Sequence, residues 1–129
     1  MAQVDGTLVF DGHCGFCTRS AGWLRRLDRR HRVRLVPSQR PGLHRATGLT
    51  PEQTGASVWW LGRDGSRSSG ANAVNAALSA ALGIRLPLLL YGLTRRPQER
   101  LYAKVAANRH RLPGVTPHCE ANPHDCRPG

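Results

Sequence analysis

Thr7-Leu8-Val9-Phe10-Asp11-Gly12-His13-Cys14-Gly15-Phe16-Cys17 is the stretch that decides how this chain folds. Thr7 to Phe10 has the length and composition of a short buried strand, and Asp11-Gly12 ends it. From Cys14 to His31 the apolar residues Cys17, Ala21, Leu24 and Leu27 recur at steps of three and four. Arg19, Arg25, Arg26, Asp28, Arg29 and Arg30 fall largely on the other face, which predicts an amphipathic helix. Cys14 and Cys17 therefore stand where a strand hands over to a helix. Two thiols at that spacing can close a small disulfide ring. The helix start offers them backbone N–H groups and the positive end of the dipole, both of which stabilise a thiolate. A thiolate is the species that attacks disulfides. Zinc sites use the same CxxC spacing, so it is the strand–CxxC–helix setting that points to redox chemistry.

Outward from this stretch, Val33-Arg34-Leu35-Val36 reads as a second strand, stopped by Pro37. A helix between two strands implies a right-handed crossover and a parallel pair. Residues 41–55 are punctuated by Gly and Pro and have room for one or two short helices, with Thr50-Pro51-Glu52 as a helix start. Ser57 to Leu61 is a third strand, Arg63-Asp64-Gly65-Ser66 a turn, and Arg67 to Ser69 a short polar edge strand. In the third strand Trp59 and Trp60 must point to opposite faces. Ala71 to Leu82 predicts a helix that Gly83 ends. The order β-α-β-α-β-β-α is that of a thioredoxin-like α/β fold. A further helical segment follows, broken at Pro97 and clearest over Gln98 to Arg109, and then a Pro-rich irregular tail. The expected division is a thioredoxin-like unit over 1–112 and a Cys/His/Pro-containing tail over 113–129.

The 129 residues leave room for one modest core, and 40% apolar residues with few aromatics make it an aliphatic one. The longest apolar run, Leu86 to Tyr91, is far too short for a membrane span. The N-terminus has neither the basic nor the apolar part of a secretory signal, so a cytoplasmic location is expected. The formal charge of +11 admits a basic adaptor for nucleic acid. Against this, no Phe, Trp or Tyr interleaves the run Arg25 to Arg34, and Lys104 is the only lysine, a skew that fits GC-rich coding.

Asp11 to Cys17, entered from Leu8-Val9-Phe10, resembles the DxxCxxC signature of the DCC family, thioredoxin-like thiol-disulfide oxidoreductases. Ser69-Gly70-Ala71-Asn72-Ala73-Val74 after the hairpin resembles the family's second half. Tyr102-Ala103-Lys104-Val105-Ala106-Ala107-Asn108-Arg109-His110-Arg111 resembles its closing helix. The likeness covers roughly residues 5–119. It implies a thiol-disulfide oxidoreductase with Asp11, Cys14 and Cys17 as its site residues. Thr54-Gly55-Ala56-Ser57 lacks the proline that better-known thioredoxins carry before the hairpin strand, so a docking mode built on that proline does not carry over.

In this reading Cys14, at the helix start, attacks. Cys17, a turn further in and more buried, resolves the mixed disulfide. The substrate is a protein or small-molecule disulfide, the electrons come from another thiol system, and no cofactor is bound. Asp11 has two readings: a proton shuttle to Cys17, or a cap that accepts N–H bonds from the turn. His13 either lowers the Cys14 pKa when protonated or simply faces solvent. In the tail, His118-Cys119 and His124-Asp125-Cys126 admit four readings: a zinc site shared with Cys14 and Cys17 in a binding module, a local disulfide, a relay that accepts oxidation from Cys14–Cys17, or an incidental, flexible tail.

Overall fold

Four strands and seven α-helices account for most of residues 4–126, the range described by the computed structural model. Residues 1–3 and 127–129, including Pro128 of the expected tail, lie outside it. Strand β1 (Gly6–Phe10) pairs in parallel with β2 (Val33–Pro37), Leu8 opposite Leu35 and Val9 opposite Val36. On its other side β1 runs antiparallel to β3 (Trp59–Gly62), which pairs antiparallel with β4 (Arg67–Ser69). The sheet order is β2-β1-β3-β4, the arrangement expected of a thioredoxin-like fold.

Because β1 lies between two neighbours, its alternate side chains are buried on both faces. On one face Leu8 and Trp60 pack with Leu24 of α1 (Gly15–Leu27) and with Ala73, Ala77 and Ala81 of α4 (Gly70–Leu82). The three alanines, four residues apart, form a smooth stripe that brings α4 close to the sheet. On the other face Val9 and Val36 pack with Leu43, joined by Trp59 and Leu61. The two tryptophans thus divide between the faces as strand alternation requires.

Several boundaries differ from the sequence expectation, each for a local reason. Helix α1 stops at Leu27 instead of reaching His31. Asp28 is buried, and its carboxylate accepts the N–H groups of Arg32 at 2.8 Å and Val33 at 2.9 Å, turning the chain into β2. Leu27 consequently lies near the helix end and is exposed. Helices α2 (Leu43–Thr47) and α3 (Pro51–Ala56) fill the punctuated stretch, α3 opened by a capping box between Thr50 and Gln53. The apolar run after Gly83 forms α5 (Leu86–Leu93), followed by α6 (Arg95–Ala107). Pro97 does not break α6: it sits in the first turn, where a backbone N–H has no intrahelical acceptor. The tail is not irregular throughout, since α7 (His118–Ala121) and a 3-10 turn at Pro123–Asp125 lie within it. Among the described residues no helix is long and apolar enough to cross a membrane.

Candidate redox site at the start of the first helix

Cys14 is the N-cap of α1. Its backbone is extended, and its sulfur accepts the N–H of Cys17 at 3.2 Å. The strand–turn–helix handover thus gives one sulfur a helix N-terminal donor, as the motif's position predicts. The expected order of burial is reversed. Cys14 is 2% exposed, whereas Cys17 is half-buried and lines a cavity. Burial pushes the Cys17 thiol up to about 12; its hydrogen bond and charge interaction with Cys14 add to this, and Arg109 pulls the other way. At neutral pH Cys17 therefore holds its proton.

The reversal comes from the tail, which runs across residues 12–18. Cys119 N–H donates to Gly12 O at 2.9 Å, Val115 N–H to Gly15 O at 3.2 Å, and His118 N–H to Thr18 Oγ1 at 3.0 Å. The Phe10 and His118 rings meet edge-on with centroids 5.5 Å apart. Gly12 and Gly15 are needed for so close a passage. A Cβ on Gly12 would stand 2.6 Å from Cys119 Sγ, and one on Gly15 would stand 2.6 Å from Val115 O. Cys14 lies between these two anchored glycines. Cys119 and Cys126 are bonded to each other. The zinc reading thereby loses both tail thiols, and among the described residues no cluster of three or more His, Cys, Asp or Glu could hold a metal ion.

Asp11 is tied on both carboxylate oxygens. Oδ1 accepts the N–H of His13 at 2.9 Å and Gln39 Nε2 at 2.8 Å, and Oδ2 pairs with Arg109 Nη2 at 3.0 Å. Of the turn N–H groups in the capping reading, only that of His13 reaches the Asp11 carboxylate, while that of Gly12 goes to Gln39 Oε1 and that of Cys14 to the Asp11 backbone O; a shuttle would require one of the carboxylate contacts to break. His13 is exposed, its backbone N–H held by Asp11.

Three groups that sequence reasoning did not assign complete the site. Arg109, just beyond α6, reaches back over 92 residues to place Nη1 3.8 Å from Cys17 Sγ, and its Nη2 donates to Gly55 O at 3.4 Å. Burial works against its charge, but Asp11 and the two sulfurs offset this, so the guanidinium is held more firmly protonated. Gln39 accepts the Gly12 N–H at 2.8 Å while donating to Asp11. Tyr102 on α6 accepts the Val58 N–H at 2.9 Å, fixing the loop that enters β3 where thioredoxins carry their proline. Arg109 and Tyr102 both lie in the segment quoted for the family likeness; Gln39 had no sequence signal at all.

The cavity beside Cys17 measures about 400 Å³ and is mostly apolar, with Phe10, Phe16, Leu24, Val58 and Leu78 among its walls and Arg109 at its polar end. A more open groove of about 710 Å³, between β4 and α4, contains none of the thiols.

No curated protein and no solved structure matches the chain. The family model described as DCC1-like thiol-disulfide oxidoreductase matches residues 8–115, a span that holds the end of β1, the CxxC turn, the cavity walls and Arg109. By that match the chain belongs to the DCC1-like thiol-disulfide oxidoreductase family.

Proposed function

We propose that Cys14 and Cys17 are a working dithiol/disulfide couple that exchanges electrons with a sulfur compound entering the cavity on the Cys17 side. One observation carries this reading: the sulfur that faces the cavity is bonded through its own backbone N–H to the sulfur that caps the helix. In the oxidised couple a substrate thiolate attacks Cys17 Sγ. The Cys14–Cys17 bond breaks, and Cys14 leaves as a thiolate onto the Cys17 N–H. That N–H already points at Cys14 Sγ at 3.2 Å, which favours this polarity. A second substrate thiol then attacks the substrate sulfur of the mixed disulfide, and Cys17 leaves, taking up a proton. Two thiols become one disulfide and two electrons pass to the couple; run backwards, the same path reduces a disulfide.

Arg109 steadies the charge that passes through Cys17, and Asp11 acts through it as a positioning residue that also holds the turn. The cavity volume falls in the range of small-ligand sites, and its walls suit an apolar thiol or disulfide, or an apolar side chain next to a cysteine. A second thiol system exchanges with the couple in each cycle, as a cytoplasmic setting would provide.

Oxidised protein mixed with benzyl mercaptan tests this. Dibenzyl disulfide should form as Cys14 and Cys17 become alkylatable, and in the Cys119→Ser/Cys126→Ser background, which removes the tail disulfide, Cys17→Ser should abolish the reaction. If the alkylation of Cys14 and Cys17 does not change while the thiol is present in excess, the reading is wrong.

A further inference from the structure

Cys14, the sulfur that accepts the helix-start N–H of Cys17, is closed to solvent. The chain that crosses its turn brings another sulfur with it. Cys119 is buried at 7% exposure, its N–H bonded to Gly12 O and its Sγ packed against Gly12, two residues before Cys14. That sulfur also lies 3.6 Å from Gln39 Oε1. As a disulfide it has no proton to donate there, but as a thiol it would. Gln39 in turn holds Asp11, and Asp11 holds the Arg109 that touches Cys17. The two sulfur pairs therefore share one polar network around one turn. Cys126, the other end of the tail disulfide, follows the 3-10 turn after α7 and is half-buried, less enclosed than Cys119.

We infer that Cys119–Cys126 is a second redox-active pair, through which the Cys14–Cys17 couple exchanges electrons with the outside. This rests on the couple proposed above and extends it. Cys14 gives up its proton and attacks Cys119 Sγ, the Cys119–Cys126 bond breaks, and Cys126 leaves as a thiolate that takes a proton. Cys17 then gives up its proton and attacks Cys14 Sγ in the Cys14–Cys119 bond, and Cys119 leaves and is protonated. One disulfide is lost and one gained. Two electrons move from the inner pair to the tail pair, and no further reagent is needed. The tail pair is then reset at Cys126 by an external disulfide, or loaded there by an external thiol when the flow reverses. The arrangement gives the buried Cys14 a partner without uncovering it.

The full chain, carrying a single disulfide, tests the exchange. The two one-disulfide isomers, Cys14–Cys17 and Cys119–Cys126, are separated in acid and returned separately to neutral pH with no added thiol. Each should relax to the same mixture at constant total free thiol. In Cys17→Ser, non-reducing peptide mapping should find a Cys14–Cys119 link together with an alkylatable Cys126. Isomers that stay as separated, and a Cys17→Ser protein that keeps Cys119–Cys126 intact, overturn the relay. A parallel arm treats the Cys119→Ser/Cys126→Ser protein with cystamine. A Cys14–Cys17 disulfide formed there while the isomers fail to interconvert defeats the relay alone; failure to form it defeats the underlying couple.

Discussion

At Arg109 one guanidinium meets the Asp11 carboxylate at 3.0 Å and the Cys17 sulfur at 3.8 Å, so charge in the turn and charge in the cavity are set by the same side chain. Arg109→Gln removes that charge and keeps part of the donor geometry. We expect exchange to slow by about tenfold, the worth of roughly one charge-assisted hydrogen bond, with the far-ultraviolet spectrum unchanged. Arg109→Lys should recover part of the rate. Cys17 gives a second residue-scale prediction. Its neutral thiol is favoured by burial, and the thiolate is what reacts with iodoacetamide. Below a pKa of about 12 the thiolate fraction rises tenfold per pH unit, so alkylation of Cys17 should climb steadily through the alkaline range with no plateau near pH 9. A plateau near pH 9 would mean that the thiol is not buried as described. Cys14 and Cys17 themselves were readable from their spacing at a strand–helix junction. Arg109 was present in a segment singled out for its likeness, yet its partners lie far away in sequence, and no local pattern reports such a contact.

Among the elements, those that were legible are the ones made by local rules. The short apolar run of β1, the three-and-four spacing in α1 and the Ala-rich α4 each carry their own signal, and all three form. The end of α1 departs from its helical periodicity because Asp28 serves the start of β2 instead of the helix. Pro97 is tolerated because it falls in the first turn of α6, and that depends on where α6 begins. The meeting of α1 with the tail was invisible. It is made by backbone groups of Gly12, Gly15 and the segment 113–119, whose sequence contribution is mainly the absence of side chains. Gly15→Ala tests that meeting. Alanine is the better helix former by up to about 1 kcal/mol in a helix interior, so α1 should persist. The added methyl, however, would stand 2.6 Å from the Val115 carbonyl, and the tail must move. Cys14 should then be alkylated faster than in the wild type. Unchanged Cys14 reactivity would show that the tail does not cover it.

Across the whole molecule, the sheet holds the CxxC turn from below, α6 and Arg109 close the cavity from one side, and the tail closes Cys14 from the other. The expected burial order of the two cysteines failed for that last reason: it treated α1 and the sheet as the entire environment, while the covering segment is about a hundred residues downstream. The fold's order of elements was legible because each unit is contiguous; the site's enclosure is assembled from three separated parts of the chain. The central claim is that Cys14 and Cys17 switch reversibly between dithiol and disulfide. It is tested most directly by equilibrating the wild-type protein against graded ratios of reduced to oxidised glutathione, quenching in acid and mapping peptides without reduction. The Cys14–Cys17 linked peptide should rise and fall along one curve approached from either side. A pair that stays as free thiols at every ratio, or that links only to glutathione and never to each other, would contradict the account.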